Sequence, residues 1–385
     1  MLLQNQLIVA VLQAVVVALV VSFLMTPVVK TLAYKVGAID VPKDNRRMHK
    51  TPIPRLGGLA IFIGFMVSVL VFAEIDVQLR GILLGAVIIV VLGVVDDITP
   101  LPAMLKFVVQ IAAALIPISH GVVIKALSNP NLFSDSPYWV LGGLSIPITI
   151  LWIVGITNAV NLIDGLDGLA NGVSAICATT MLVIALMVAD SHVAVVMAAL
   201  VGASVGFMPY NMNPAKMFMG DTGATFLGFI LATMSIQGLF KFYALISFAV
   251  PFLILGLPIF DTAFAMIRRI AHGQSPMKPD RGHVHHRLID MGLNQKQAVA
   301  TLYVISAILG MSAVVLTTSG ELKAMMFFLT LCVVAGVAAR VIFPKEIQAE
   351  LRDEMADLME HNHHKTEESD DKPAENTNNK EEGNS

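Results

Sequence analysis

The chain has 385 residues, of which 56% are hydrophobic and 14% charged, and its mean hydropathy is +0.75. A water-soluble protein of this length would carry far more charge, so the composition indicates a membrane protein with several spans and excludes a soluble globular enzyme. The formal net charge of −3 says little as a total, and we expect no nucleic-acid partner.

Apolar stretches long enough to cross a bilayer recur along most of the chain. With a window of about 20 residues per span, the sequence predicts an all-α polytopic membrane protein with about eleven transmembrane helices, near 6–29, 57–74, 80–95, 103–119, 141–161, 170–189, 193–210, 223–240, 243–267, 298–318 and 323–343. Turn residues in 120–140 predict a short hairpin. Residues 1–343 are therefore predicted to form an integral membrane domain, and the acidic residues 344–385 a disordered tail.

Basic residues concentrate in two loops. The segment 30–56 holds seven Lys or Arg residues and 268–297 holds six, whereas alternate loops hold one apiece. By the positive-inside rule both basic loops are cytoplasmic, with the N-terminus outside and the C-terminus inside. Four polar clusters then fall on the cytoplasmic side and predict one shared site: Asp96-Asp97, Asn158–Asp167, Asn211–Asp221 and Asp280–Arg287.

The segment WIVGITNAVNLIDGLDGLANG places polar side chains at the end of an apolar stretch. Four of them recur every three residues: Asn158, Asn161, Asp164 and Asp167. On one helix they would form a polar stripe. Three glycines are interleaved with them: Gly165, Gly168 and Gly172. These would let another backbone or a ligand approach closely, and ionisable groups at membrane depth indicate function.

Two further clusters hold carboxylates where a span meets water. Asp96 and Asp97 point about 100° apart on a helix, which predicts that one acts on substrate while the other orients groups or holds charge. An acidic cap favoured by a helix dipole is the alternative. Asp221 stands between Gly220 and Gly223 and suits Mg²⁺, which takes one or two protein ligands and keeps waters and substrate phosphates. A helix N-cap is the alternative for Asp221.

The segment PDRGHVHHRL combines imidazole and basic groups at 279–288. Its spacing is not that of a helical zinc site. Beside several carboxylates these groups predict anion binding, in which they would neutralise the phosphates of a substrate that arrives with its metal. A merely basic loop is the alternative. Together the clusters indicate phosphoryl transfer between a water-soluble donor and a lipid acceptor.

Five segments resemble, in the same order, the motifs of the polyprenyl-phosphate N-acetylhexosamine-1-phosphate transferases. They are HKTPIPRLGG (49–58), Asp96-Asp97, NAVNLIDGLDGLANG (158–172), FMGDTGATFLG (218–228) and HVHHRL (283–288). The last is similar to the N-acetylglucosamine-1-phosphate branch (glycosyltransferase family 4), which initiates teichoic acid, O-antigen or related envelope glycans. The phospho-N-acetylmuramoyl-pentapeptide transferases of peptidoglycan synthesis, with three consecutive histidines, are the alternative. A membrane transporter is a remote one, because these clusters lie at one surface.

The resemblance implies transfer of GlcNAc-1-phosphate from UDP-GlcNAc to undecaprenyl phosphate, giving undecaprenyl-diphospho-GlcNAc and UMP. It implies Mg²⁺, for which Mn²⁺ can substitute, held by Asn161 and Asp221. Asp96 and Asp97 are implied as catalytic carboxylates that deprotonate or position the lipid phosphate. The resemblance does not decide which of the two acts as a base. The implied substrate-binding residues, among which Phe218 would stack on uracil, are Lys50, Asp164, Asp167, Phe218, His283, His285, His286 and Arg287.

The resemblance also sets the expected location. We expect a multi-pass protein of the bacterial cytoplasmic membrane whose active site faces the cytoplasm, with the lipid bilayer as a partner. A homodimer is left open.

Overall fold

A computed structural model describes residues 2–42, 51–128, 138–188, 190–240, 249–271 and 283–319, together with 329 and 332. These residues form twelve α-helices, α1 Leu2–Val36, α2 Gly57–Phe72, α3 Val77–Ile98, α4 Ala103–Ser119, α5 Ser145–Leu162, α6 Leu169–Met187, α7 Ser191–Asn211, α8 Gly220–Ser235, α9 Ala249–Ile254, α10 Gly256–Ala271, α11 Val284–Asp290 and α12 Gln295–Ser319. Within the described part of the chain, six helical stretches are long and apolar enough to cross a membrane, and the chain is a multi-pass membrane protein.

The predicted spans and the observed helices agree over most of the described chain. Each of the first eight predicted spans overlaps one helix, α1 to α8 in order, and the tenth overlaps α12. The predicted hairpin is confirmed, because strands β3 Ala126–Ser128 and β4 Tyr138–Val140 pair antiparallel. The eleventh span, at 323–343, and the tail from 344 lie almost wholly outside the described residues. The count of eleven, the orientation and the boundary at 344 stay predictions.

The ninth predicted span, 243–267, is divided between two helices. α9 ends at Ile254 and α10 begins at Gly256. Pro258 has no N–H, so it cannot donate to the carbonyl of Ile254 four residues earlier. The thiol of Cys177 donates to that carbonyl instead, with an Sγ···O distance of 3.0 Å. The break is therefore encoded by a proline whose missing hydrogen bond is supplied by α6.

The site is positioned by a close crossing of α2, α3 and α8. A Cβ atom at Gly58 would overlap the backbone of Gly223, and one at Gly93 would overlap the backbone of Thr222. Glycine at these positions therefore lets the first turn of α8 lie directly against both other helices.

A short extended segment fixes the approach to α2. Strand β1, Ile39–Asp40, pairs antiparallel with β2, Ile53–Pro54. Beyond β2 the chain runs beside the residues that precede α8: the N–H of Phe218 donates to the carbonyl of Pro54, and the N–H of Gly57 donates to the carbonyl of Phe218, both at 2.9 Å. These bonds hold Arg55 next to the start of α8.

The polar residues at 158–167 do not share one helix, so that expectation was wrong. α5 ends at Leu162 and α6 begins at Leu169. Gly168 has a φ of +79°, a conformation that favours glycine, and it stops α6 from extending backwards. Asn158 and Asn161 therefore lie on the last turns of α5, while Asp164 and Asp167 lie in the turn that follows it.

Candidate active site

A cavity of about 550 Å³ brings three of the four polar clusters together. The predicted site residues on its wall are Asn161, Asp164, Asp167, Phe218, Asp221 and His286. They come from α5, from the turn before α6, from the segment that leads into α8, from the first turn of α8, and from α11. This volume lies in the range of small-molecule sites in proteins.

Asp97 lies behind the cavity wall, where its carboxylate holds the start of α8. Its Oδ1 atom accepts from the N–H of Asp221 at 3.0 Å, and its Oδ2 atom accepts from the N–H and hydroxyl of Thr222 at 3.0 and 2.6 Å. Arg55 donates to Oδ1 from Nε at 3.1 Å and from Nη2 at 3.0 Å. The side chain is fully buried, so both oxygens are occupied by protein donors.

Asp96, the neighbouring acid, faces a lysine. Its Oδ1 atom accepts from the N–H of Leu101 at 2.7 Å, and its Oδ2 atom lies 3.0 Å from the ammonium of Lys106. The same ammonium lies 3.0 Å from Oδ2 of Asp221. Lys106 on α4 therefore bridges carboxylates from α3 and α8. That one of the adjacent acids acts on substrate while the other orients groups or holds charge stays a prediction.

Arg55 supplies a second positive charge next to Asp221. Its Nη2 atom lies 3.9 Å from Oδ1 of Asp221, and its side chain also lines the cavity. Burial alone would lower the pKa of Arg55, but the charges of Asp97 and Asp221 outweigh burial and raise this pKa above its usual value. The guanidinium is thus charged at any physiological pH.

Asp164 and Asp167, three residues apart, have different surroundings. Burial, together with the charges of Asp221 and Asp97, raises the pKa of Asp164 to about 7. Asp167 is instead a structural acceptor, since its Oδ2 atom takes the N–H of Ala215 and the side-chain amide of Asn213, each at 3.0 Å. Asp167 therefore braces the loop between α7 and α8 that carries Phe218.

The amide Asn158 does not line the cavity. Its Nδ2 atom donates to Oε1 of Gln110 at 2.7 Å and to the carbonyl of Val154 at 2.8 Å. Gln110 lies one turn after Lys106 on α4, so this bond links the helix that carries Lys106 to the helix that carries Asn161.

The three histidines of HVHHRL have three different environments. His286 lines the cavity, whereas His283 is buried beside Asp261 of α10. His285 is also buried, and its Nε2 atom has no hydrogen-bond partner among the described residues. Burial and the neighbouring His286 lower the pKa of His285 to about 4, which makes this imidazole neutral at physiological pH.

Arg287 and Lys50 complete the predicted set. The guanidinium carbon of Arg287 lies 5.4 Å from the centroid of the Phe264 ring, a cation–π arrangement on the side of α10. Arg287 is not among the residues on the cavity wall. Lys50 lies outside the described residues.

At two of the glycines between the polar residues, a side chain from another helix packs directly against the backbone. A Cβ atom at Gly165 would overlap the imidazole of His285, and one at Gly172 would overlap the phenol of Tyr303. Tyr303 on α12 donates its hydroxyl to the carbonyl of Gly168 at 2.6 Å. Close approach was expected here, and at Gly165 and Gly172 the approaching group is a side chain of α11 or α12.

Sequence reasoning missed several of these groups. Lys106 lies inside an apolar predicted span, where a lone ammonium is a functional signal that could have been used. Arg55 was recognised only as part of a basic loop and a motif. Asp261 lies inside another predicted span and carries the same signal. Gln110 had no signal in the sequence, because its role depends on which face of α4 meets α5.

Comparisons with known proteins identify related sequences. The family model for glycosyl transferase family 4 matches residues 79–239. The chain is 44% identical over 307 residues to the probable undecaprenyl-phosphate N-acetylglucosaminyl 1-phosphate transferase of Bacillus subtilis, covering 80% of this chain and 85% of that protein.

Two other relatives show the breadth of the similarity. Decaprenyl-phosphate N-acetylglucosaminephosphotransferase of Mycolicibacterium smegmatis is 32% identical, with 77% of this chain and 79% of that protein covered. Phospho-N-acetylmuramoyl-pentapeptide-transferase of Staphylococcus aureus is 29% identical, with 76% and 95% covered. On these similarities, the chain belongs to glycosyl transferase family 4, the polyprenyl-phosphate N-acetylhexosamine-1-phosphate transferases.

Proposed function

We propose that this protein transfers GlcNAc-1-phosphate from UDP-GlcNAc to undecaprenyl phosphate, giving undecaprenyl-diphospho-GlcNAc and UMP. The observation that carries the proposal is the convergence of Asp221, Asn161 and His286 on one cavity, with Lys106 and Arg55 beside Asp221. The names of the Bacillus and Mycolicibacterium relatives, at 44% and 32% identity, support the sugar and the lipid class.

The chemistry needs two anions to meet. An oxygen of the lipid phosphate attacks the β-phosphorus of UDP-GlcNAc, the bond between that phosphorus and the bridging oxygen breaks, and UMP leaves with the bridging oxygen. Negative charge accumulates on the phosphoryl oxygens during this exchange. The Lys106 ammonium and the Arg55 guanidinium would offset that charge from fixed positions.

Of the two adjacent acids, Asp96 is the better candidate for acting on the lipid phosphate, and it would do so through Lys106, because Asp96 is 5% exposed and does not line the cavity. The oxygens of Asp97 are occupied by five protein donors, while Asp96 accepts one backbone N–H and shares Lys106 with Asp221. A phosphate monoester is largely ionised near neutral pH, so we assign Asp96 the task of holding the Lys106 ammonium in place for the phosphate rather than that of removing a proton.

A Mg²⁺ ion fits the donor groups of this cavity. Among the described residues, no cluster of three or more His, Cys, Asp or Glu forms a complete cage for a metal. Mg²⁺ usually takes one or two protein carboxylates and completes its shell with other oxygen ligands, waters and substrate phosphates. Asp221 would supply one carboxylate and Asn161 an amide oxygen. When bound, Mg²⁺ (or Mn²⁺ in its place) neutralises the diphosphate of the donor.

We propose that the cavity faces the cytoplasm, where UDP-sugars are made, and that the protein lies in the bacterial cytoplasmic membrane. The charge of the two basic loops supports this orientation. Lys43→Cys should then react only with thiol reagents that reach the cytoplasm, and labelling from outside would invert the orientation. We further propose that the lipid product starts a cell-envelope glycan such as teichoic acid.

A comparison of two donor substrates, supplied separately, tests the function. Purified protein, undecaprenyl phosphate and Mg²⁺ are mixed with radiolabelled UDP-GlcNAc or with UDP-MurNAc-pentapeptide, and the lipid product is identified by mass. We expect undecaprenyl-diphospho-GlcNAc from the first donor. A lipid product from UDP-MurNAc-pentapeptide alone would assign the chain to peptidoglycan synthesis instead.

A further inference from the structure

A buried carboxylate on α10 holds the histidine segment and has no place in the chemistry described so far. Asp261 is 4% exposed, and its Oδ1 atom accepts the N–H of Val284 at 2.7 Å. Its Oδ2 atom lies 2.7 Å from Nδ1 of His283. An ionised carboxylate only accepts, so Nδ1 of His283 must carry the proton of that bond. Asp261 therefore fixes both the start of α11 and the orientation of one imidazole.

Two neighbouring histidine rings connect the His283 imidazole to the cavity. The rings of His283 and His285 are stacked, with centroids 5.8 Å apart and planes within 10°. The ring of His285 lies 4.3 Å from that of His286, which lines the cavity. On its other side His285 fills the space that the missing side chain of Gly165 leaves. Three rings thus connect Asp261 to the cavity wall.

We propose that Asp261 is a positioning residue of the active site, which acts through His283 and the stacked imidazoles to hold His286 against the donor substrate. The inference rests on the proposed function, because it assigns Asp261 a role in the same reaction. His283 is only 6% exposed and is not part of the cavity wall, so it transmits position rather than contacting substrate.

A helix cap alone would not account for this arrangement. Asp76 and Asp190 also accept a backbone N–H at the start of a helix, from Leu79 at 2.7 Å and from Val193 at 3.1 Å. Among the hydrogen bonds that the structure describes, neither of them reaches a histidine of the site. Asp261 uses its second oxygen for His283, and it is this bond that carries the proposal.

Asp261→Asn separates the two roles. The amide oxygen can still accept the N–H of Val284, but the amide nitrogen is a donor and can pair with His283 only if Nδ1 loses its proton. We expect kcat/KM for UDP-GlcNAc to fall by about 10- to 100-fold, the size of effect that loss of an orienting partner has at metal-binding histidines. The thermal midpoint should fall no further than in the matched cap variant Asp76→Asn, which should keep wild-type kcat/KM.

A double-mutant cycle identifies the path. If Asp261 acts through His283, then Asp261→Asn combined with His283→Ala should be no less active than His283→Ala alone. Wild-type activity in Asp261→Asn would overturn the proposal. So would a double variant in which the activity losses of the two single variants are fully additive. Should Asp261→Asn not fold, His283→Asn, which can keep a donor at the Nδ1 position, should exceed His283→Ala in activity, and equal activities would overturn the proposal.

This experiment keeps two kinds of failure apart. A wild-type protein that forms no lipid product from UDP-GlcNAc would refute the proposed function. An active wild-type protein whose Asp261→Asn variant is equally active would refute only the role of Asp261.

Discussion

The backbone N–H of Asp221 donates to the Oδ1 atom of Asp97 at 3.0 Å. A carboxylate on α3 therefore caps α8, which begins at Gly220, and it does so from another part of the chain rather than from the residue before the helix. Capping carboxylates at a helix N-terminus are favoured by the helix dipole as well as by the hydrogen bond. The position of the Asp221 side chain thus depends on Asp97.

The first prediction concerns this cap. Asp97→Ala removes the acceptor of five hydrogen bonds and leaves Arg55 without its closest partner, so we expect the free energy of unfolding to fall by about 3–5 kcal/mol. The control Asp76→Ala, which removes a cap at the start of α3, should cost about 1 kcal/mol. Thermal midpoints measured in one detergent compare the two variants. Equal losses would show that Asp97 does not hold α8.

A second prediction concerns the ammonium between Asp96 and Asp221. Because Lys106 occupies Oδ2 of Asp221, it competes with any metal ion that uses this carboxylate. Lys106→Met should tighten Mn²⁺ binding by roughly 10-fold, equivalent to about 1.4 kcal/mol, while UMP release falls by about 100-fold or more. Mn²⁺ binding is followed by electron paramagnetic resonance. Lys125→Met, at an exposed lysine before β3, should change neither quantity.

The third prediction concerns pH. The pKa of Asp164 in the folded protein is about 7, above its ordinary value of 3.8. The folded state thus binds this proton more tightly than the unfolded state. Stability is lost as pH rises from about 4 through about 7, because the folded protein must then hold a half-buried carboxylate near those of Asp221 and Asp97. Asp164→Asn removes that penalty.

Thermal midpoints at several pH values check the sign. With chelator present, the midpoint of Asp164→Asn minus that of the wild type should grow between pH 5 and pH 8. Asp290→Asn, at an exposed position that does not line the cavity, is the matched control. A difference that shrinks as pH rises would mean that Asp164 is stabilised as a carboxylate.

Much of the membrane architecture follows from apolar length, which is why eight spans and α12 could be predicted. The break after Ile254 could not, because the sequence does not show that Cys177 would satisfy the carbonyl that Pro258 leaves open. The turn at 163–168 was missed for a related reason. A three-residue period is compatible with a helix, and Gly168 decides against one only through its backbone conformation.

The residues of the candidate site were predictable where several polar side chains lie close together in one segment of the sequence. Asp221, Asn161 and His286 each belong to a recognisable cluster, and all three line the cavity. Pairings between distant helices were not predictable, since the sequence cannot say that Lys106 meets Asp221 or that Asp261 meets His283. Those contacts depend on helix rotation and crossing, which side-chain packing sets.

The most direct measurement compares the wild type with Asp221→Asn in the release of UMP from UDP-GlcNAc and undecaprenyl phosphate. The wild type should release UMP in the presence of Mg²⁺. The variant should be slower by more than about 10³-fold, equivalent to about 4 kcal/mol of transition-state stabilisation, and added Mg²⁺ or Mn²⁺ should not restore it. Full activity in Asp221→Asn would remove this carboxylate from the reaction and contradict the account of the site.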